Sequence, residues 1–421
     1  MKMDFEEENK KLRRAVEELS ILNEISVAIG STLRVEEITK LIISKCIQRI
    51  GVEQGAITLL KDDASEPLKT FIRVIDKGAE RTPYRLGMTL TGWMLKNQKP
   101  LLINDLAGDK RFSNFNLATE KIKSILSVPL RVKNRIIGLL SLFNKREEFT
   151  VEDQRLLSII AIQSAQVIEN ARLYEEEQKL KNFEEDLKTA KNIQVSLLPK
   201  ENPKLPGIDI AGLSLPAREV GGDYYDFIPI DEHHLGIVIA DVSGKGTSAA
   251  LLMANLQATL RGQALMDRST KETVSKVNFM LTKFMELGKF ITLFYGILNI
   301  QDRIFTYTNA GHDFPFLLNQ DGGLRTLEKG GIILGMFDNS TYEEETIQLK
   351  PGDLMLLYTD GITEATNKKD QAFESERLLE LLKNNQNSSA QDLSQKIVES
   401  VISFQEGTSQ SDDLTLVLMK T

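Results

Sequence analysis

The hydrophobic pattern changes period three times along the chain. Residues 4–20 are rich in Glu and Lys, with Leu12, Val16 and Leu19 at helical spacing, and Leu22, Ile25 and Ile29 continue that spacing. A second amphipathic helix carries Ile38, Leu41, Ile42 and Cys46 and stops near Gly51. Short strand-like runs follow at 55–60, 68–74 and 101–103, and then 127–131 and 135–143 form a hairpin around Lys133-Asn134. A long helix starts at Thr150, where Asp153 three residues on completes a capping pattern. Its apolar face runs through Leu157, Ile160, Ala161, Val167, Ile168 and Ala171. Leu173, Leu180, Phe183, Leu187 and Ala190 carry the helix onward in a three/four alternation, which predicts a coiled-coil linker; a helix lying on a neighbouring domain is the alternative. Pro199, Pro203 and Pro206 end it.

Beyond 208 strand patterns dominate, at 208–213, 235–240, 290–300, 304–309, 316–319, 354–358 and 414–419, with a hairpin signal at Asp321-Gly322-Gly323. Helical patterns occupy 247–264, 269–287, 374–385 and 389–404. Many strands with a few helices predict an α+β fold of packed layers.

Composition narrows the function. With 41% hydrophobic and 27% charged residues, the 421-residue chain has the makings of two or three globular domains. A net charge of −8, without a basic stripe, argues against a nucleic-acid or anionic-lipid surface. No apolar run reaches ~18 residues and the first residues hold no apolar signal core, so no membrane span and a cytoplasmic location are expected. The single cysteine, Cys46, reads as a small core residue.

The candidate chemistry lies in aspartates at the ends of apolar strands. Residues 235–240 run into Asp241, and 354–358 run through Thr359 into Asp360. Asp412 and Asp413 precede 414–419, and Asp223 follows Gly221-Gly222. A carboxylate at a buried strand end is costly unless paired or metal-bound, and several together repel unless a cation intervenes. Only three histidines are present, so an all-oxygen site for Mg²⁺ or Mn²⁺ is the implied chemistry. Any one of these aspartates alone reads as a turn or helix cap.

Five segments carry a family resemblance: Val220-Gly-Gly-Asp-Tyr-Tyr-Asp-Phe227, Ala240-Asp-Val-Ser-Gly-Lys-Gly246, Asn309-Ala-Gly-His312, Leu357-Tyr-Thr-Asp-Gly-Ile-Thr-Glu364 and Ser411-Asp-Asp-Leu-Thr-Leu416. In this order they resemble the SpoIIE/RsbU branch of the PPM metal-dependent protein phosphatases, as does the entry segment Ala190-Lys-Asn-Ile-Gln-Val-Ser-Leu-Leu-Pro199. The resemblance implies an α/β/β/α sandwich and a centre of two Mn²⁺ or Mg²⁺ ions. Asp223 and Asp241 would share the metals, the Val242 carbonyl would add a ligand, and Asp360 and Asp412 would complete the set. It favours Asp412 over Asp413, and it makes Arg218 a phosphate-binding residue; a solvated turn is the other reading of Arg218. Relatives with a His shortly after the second Asp use it as a candidate acid. Here Ser243-Gly-Lys-Gly246 stands instead, and His312 reads as a turn residue, so no proton donor is assigned.

Residues 20–173 resemble a GAF domain through the opening helices, 122–130, the strand at 136–143 and the terminal helix. Asn144-Lys145, Phe149 and Asp153 partly match a pattern of cyclic-nucleotide-binding members, with Gln154 where Glu is usual; a structural Lys–Asp tie is the preferred reading. The expected organisation is a helix at 1–19, a GAF sensor at 20–172, a linker at 173–199 and a phosphatase domain at 200–421. The expected partners are a phosphorylated regulatory protein, such as an anti-sigma-factor antagonist, an unidentified ligand of the GAF domain, and a second copy of the chain through the linker. The alternative is an inactive phosphoprotein-binding module. Gly221-Gly222-Asp223-Tyr224-Tyr225 lacks the ending of a cyclase signature, and Ser243-Gly-Lys-Gly-Thr247 lacks the first Gly and the Ser/Thr of a P-loop.

Overall fold

A computed structural model describes residues 34–60, 68–74, 88–112, 122–286 and 288–421. The helical patterns at 4–20 and 22–29 lie outside the described residues. The chain divides into two compact units, 1–182 and 183–421.

The first unit runs α1 (Val35–Ile50), β1 (Val52–Leu60), β2 (Leu68–Val74), α2 (Met88–Asn97), β3 (Leu101–Ile103), β4 (Ile125–Val132) and β5 (Arg135–Lys145), then enters α3 (Val151–Leu197). Its sheet has the order β2-β1-β5-β4-β3, every neighbouring pair antiparallel. One face packs on α1 and the start of α3 through Ile42, Ile43, Leu140, Leu142, Ile160 and Ile168. The other face buries Leu90, Met94, Phe112, Leu139 and Phe143. Cys46 is buried among the first group, and burial pushes its thiol up to about 12, so it is a core residue and not a nucleophile.

The Asn144-Lys145 to Asp153 pattern is a mechanical tie. Lys145 Nζ lies 2.5 Å from Asp153 Oδ2, which also accepts the Thr150 N–H at 2.8 Å. The Asp153 N–H donates back to Thr150 Oγ1 at 3.1 Å. This capping box fixes the start of α3 to the end of β5 without calling on a ligand.

The second unit contains β6 (Asp209–Leu215), β7 (Tyr224–Pro229), β8 (His234–Val242), α4 (Thr247–Ala264), α5 (Thr270–Leu281), β9 (Ile291–Asn299), β10 (Ile304–Ala310), β11 (Phe316–Leu318), β12 (Leu324–Thr326), β13 (Gly330–Gly331), β14 (Glu345–Gln348) and β15 (Leu354–Tyr358). It ends with α6 (Asp360–Thr363), α7 (Glu374–Asn384), α8 (Ala390–Gln405) and β16 (Leu414–Lys420). One sheet runs β13-β10-β9-β8-β7, with β14 also on β10, and the other runs β12-β11-β15-β16-β6. Alternation along the strands sends Tyr225, Ile237, Ile239, Phe294 and Phe305 of the first sheet into one core with Leu317, Met355, Leu357 and Val417 of the second. The outer face of the first sheet packs on α4 and α5, and that of the second on α7 and α8.

Several sequence expectations shift. The helix expected over 269–287 ends at Leu281, where Thr282 Oγ1 bonds back to the Asn278 carbonyl and turns follow. Strand β7 and helix α2 carried no clear periodic signal. In β7 consecutive residues are buried on both faces, so alternation is absent. The expected helix through the linker is one continuous element of 47 residues.

Asp226, on β7, is fully buried and paired with one cationic side chain. Arg261 of α4 grips it through Nε at 2.6 Å and a terminal nitrogen at 2.8 Å, and Tyr224 donates at 2.5 Å. This pair anchors α4 to the strand that follows Asp223.

Candidate active site

The antiparallel pairing brings the aspartates together. Register pairs Tyr224 of β7 with Ala240 of β8, which sets Asp223, just before one strand, beside Asp241 at the end of the other. In the second sheet Tyr358 pairs with Leu416, and the Thr359 N–H donates to the Thr415 carbonyl at 3.0 Å. Asp360, just after β15, and Asp412-Asp413, just before β16, therefore share one end of that sheet. Each sheet delivers one strand end and one strand start to the same edge.

The electrostatics show how closely they are gathered. Burial, and then the charges of Asp241 and Asp413, hold the Asp223 carboxyl well above the usual range, although Thr359 Oγ1 donates to its Oδ2 at 2.8 Å. Burial and the Asp412 charge push Asp241 up to about 6, and its carboxyl stands close enough to that of Asp223 for a hydrogen bond. Asp360 is pushed up to about 7 by burial and then by Asp241, Glu364, Asp313 and Asp412. The Asp313 carboxyl is itself raised by burial and Glu364.

These groups fit a hard divalent cation. All are oxygen donors, and their mutual repulsion is what a cation relieves. The backbone leaves room for it: a Cβ on Gly222 would stand 2.8 Å from the Val242 carbonyl oxygen and 3.6 Å from Asp241 Oδ1. A Cβ on Gly361 would come within 2.0 Å of the Asp413 carbonyl oxygen and 3.3 Å of the Asp412 Cβ. Glycine is thus required where the loops approach the carboxylates. Among the described residues no three acidic, imidazole or thiolate groups are already drawn to ligand spacing, so closing on an ion needs further side-chain movement. Arg218 lines a small cleft with Asp241, Asp412, Gly222 and Lys245 and is exposed there.

The two residues of the Asp412-Asp413 pair differ. Asp412 is part-exposed and faces the cleft. Asp413 is buried and serves the backbone: Oδ1 accepts from the Ala217 N–H at 2.7 Å, and Oδ2 from Gly222 at 2.7 Å and Asp223 at 3.4 Å. It holds the 217–223 loop that carries Arg218 and Asp223, a role the sequence reading did not assign.

A second brace was also missed, although its segment was singled out. Gln194, near the end of α3, is buried and makes two hydrogen bonds with the peptide groups of Gly221. Its Nε2 donates to the carbonyl at 2.7 Å and its Oε1 accepts the N–H at 3.0 Å. Removing the amide strands two buried backbone groups at ~1–3 kcal/mol each. Gln194→Ala is expected to speed hydrogen exchange at the Gly221 amide and to weaken Mn²⁺ binding several-fold, measured by titration; unchanged exchange would remove Gln194 from the site's support.

His312 is a turn residue. Asn309 Oδ1 accepts its N–H at 2.8 Å, Asn309 Nδ2 donates to its carbonyl at 3.0 Å, and Gly311 between them has a φ of 67°. Its buried ring, with Nδ1 2.9 Å from Thr292 Oγ1, is pushed down to about 4 by burial and is neutral near pH 7.

Comparison with known proteins agrees with this architecture. The GAF domain family matches residues 32–169, and the Stage II sporulation protein E (SpoIIE) family matches 231–421. The phosphoserine phosphatase RsbU of Bacillus subtilis is 31% identical over 252 residues, covering 59% of this chain and 74% of that one. The phosphoserine phosphatase RsbP of the same organism is 29% identical over 245 residues, covering 56% of this chain and 58% of that one. The SiaA-PP2C domain of Pseudomonas aeruginosa superposes with a TM-score of 0.52 at 20% identity, over 58% of this chain and 98% of that one, a likeness of fold. With RsbU matched over 74% of its length, the chain belongs to the SpoIIE/RsbU family of PPM-type protein serine/threonine phosphatases and carries a GAF domain ahead of the phosphatase domain.

Proposed function

We propose that the chain removes phosphate from phosphoserine or phosphothreonine on a regulatory protein, such as an anti-sigma-factor antagonist, using two Mn²⁺ or Mg²⁺ ions at the carboxylate edge. The observation that carries this reading is the gathering of Asp223, Asp241, Asp360 and Asp412 from two sheets at one edge, three of them with raised proton affinity. Asp223, Asp241, the Val242 carbonyl, Asp360 and Asp412 would hold the ions. When bound, such ions lower the pKa of a water and clamp the phosphoryl group. Arg218 orients the phosphoryl oxygens, Asp413 and Gln194 keep the 217–223 loop in place, and the glycines keep side chains out of the space.

The domains are taken as GAF at 20–172, linker at 173–199 and a PPM sandwich at 200–421. Leu173, Leu180 and Phe183 are exposed on α3, which supports a homodimer through a coiled-coil linker. GAF ligand binding would act on the phosphatase through that helix. Among the described residues no helix is long and apolar enough to cross a membrane.

The test is phosphate release from a phosphoserine protein with and without Mn²⁺. Metal-dependent release supports the reading. Binding of the phosphoprotein without release would instead make the chain an inactive binding module. The raised carboxyls add a pH prediction. Protons and metal compete for Asp241 and Asp360, which burial and neighbouring carboxylates push up to about 6 and about 7. The rise in melting temperature produced by Mn²⁺ is expected to be small at pH 5 and to grow through pH 8; a pH-independent rise would place the metal elsewhere.

A further inference from the structure

The Ser243-Gly-Lys-Gly246 turn has so far no part in the chemistry. Gly244 and Gly246 take φ values of 99° and 77°, a backbone that side-chain-bearing residues rarely adopt. The turn presents Lys245 between them, from the end of the first sheet toward the start of β16 in the second. Its ammonium donates to the Ser411 carbonyl at 2.6 Å and stands 2.8 Å from Asp412 Oδ2. Both side chains stay part-exposed, 42% for Lys245 and 37% for Asp412, at the mouth of the cleft that Arg218 and Asp241 also line. Lys289 Nζ lies on the other side of the turn, 3.4 Å from the Ser243 carbonyl oxygen.

An exposed pair of this kind contributes only ~0–1 kcal/mol to stability, so holding the fold together does not account for it. Its position does. Ions held at the carboxylate floor would meet the phosphoryl oxygens nearest them, which leaves the outer oxygens of a phosphate dianion to be met by cations on the rim. Lys245 and Arg218 are the cationic side chains among the residues lining the cleft. A lysine is a point charge on a flexible stem, able to swing between a carboxylate and a neighbouring phosphoryl oxygen.

We propose that Lys245 is a substrate-binding residue whose ammonium contacts the phosphoryl oxygens of bound phosphoserine or phosphothreonine, exchanging its contact with Asp412 for one with the substrate. This rests on the carboxylate edge being the phosphatase centre.

The test uses the full chain carrying Lys245→Met, Lys245→Gln or Lys245→Arg, with Mn²⁺ and para-nitrophenyl phosphate or a phosphoserine peptide. Competitive inhibition by inorganic phosphate and Mn²⁺ affinity by titration are measured alongside. Met and Gln are expected to raise KM and the inhibition constant of phosphate about tenfold or more, the scale of a lost charge-assisted contact. Mn²⁺ affinity should hold or tighten, because a competitor for Asp412 is gone, and Arg should recover much of the loss. Unchanged KM and phosphate inhibition in an active wild-type background would overturn the role of Lys245 alone. Weaker Mn²⁺ binding, with KM and phosphate inhibition unchanged at saturating Mn²⁺, would overturn substrate contact and make Lys245 a structural counter-ion. A wild-type chain that neither binds Mn²⁺ nor releases phosphate would overturn the site reading itself.

Discussion

Asp360→Asn is expected to abolish metal-dependent phosphate release while leaving the protein folded, and without metal slightly more stable at pH 8. Asp360 sits at the junction of β15 and α6, part-buried, with Asp241, Asp412, Asp313 and Glu364 raising its proton affinity. The substitution removes one ligand charge, and a fall of about 10²- to 10³-fold or more is the scale set by losing one preorganised charge partner. Stability moves the other way. The carboxyl goes from an ordinary 3.8 to about 7 on folding, so the fold favours its neutral form. The stability linked to that proton is complete below pH ~4 and is lost as pH rises through 7. An amide cannot ionise, so the metal-free variant escapes that loss at pH 8 and gains little at pH 5. Phosphate release, Mn²⁺ titration and thermal melting at both pH values check this. Wild-type turnover in the variant would remove Asp360 from the site.

Asp413→Ala is expected to damage both the fold and the site. Asp413 is buried, and its two oxygens receive the backbone N–H groups of Ala217, Gly222 and Asp223. Those donors have little water to turn to, and stranding two or three of them costs about 2–5 kcal/mol. The same loss frees the 217–223 loop, so Asp223 and Arg218 lose their placement. Hydrogen exchange at the Ala217 and Gly222 amides should accelerate, the denaturation midpoint of the second unit should fall, and Mn²⁺ affinity should drop with them. Asp413→Asn, which keeps one acceptor, should fall between. Wild-type exchange in Asp413→Ala would show that the loop is held by other contacts, Gln194 foremost.

Much of the architecture was legible because local patterns and tertiary packing agree. The Thr150–Asp153 capping pair, the Lys133-Asn134 hairpin and the β15 run at 354–358 each combine a turn or cap signal with the period of the element beside it. Strand β7 was not legible, because burial on both faces erases alternation, and the Gly-Gly-Asp before it reads as loop. The early end of α5 was not legible either: the apolar pattern runs on past Leu281 while the backbone turns.

The aspartates stood out from sequence because a carboxylate at the end of an apolar strand is expensive, and expense marks function. Their supports were silent for the opposite reason. Gln194 and Asp413 act on backbone groups, and nothing in a backbone's sequence announces which amide it will need covered. Lys245 had no role in the sequence reading, because only the second sheet sets Asp412 beside it. The grip of Arg261 on Asp226 joins residues 35 positions apart on different elements. Periodicity, composition and charge were enough to read most of the elements, the change of texture between the two halves and the oxygen-rich candidate chemistry. Which of two adjacent aspartates faces the cleft and which holds the loop became visible in the folded chain alone, because that choice depends on strand register and on backbone donors brought from ~190 residues away.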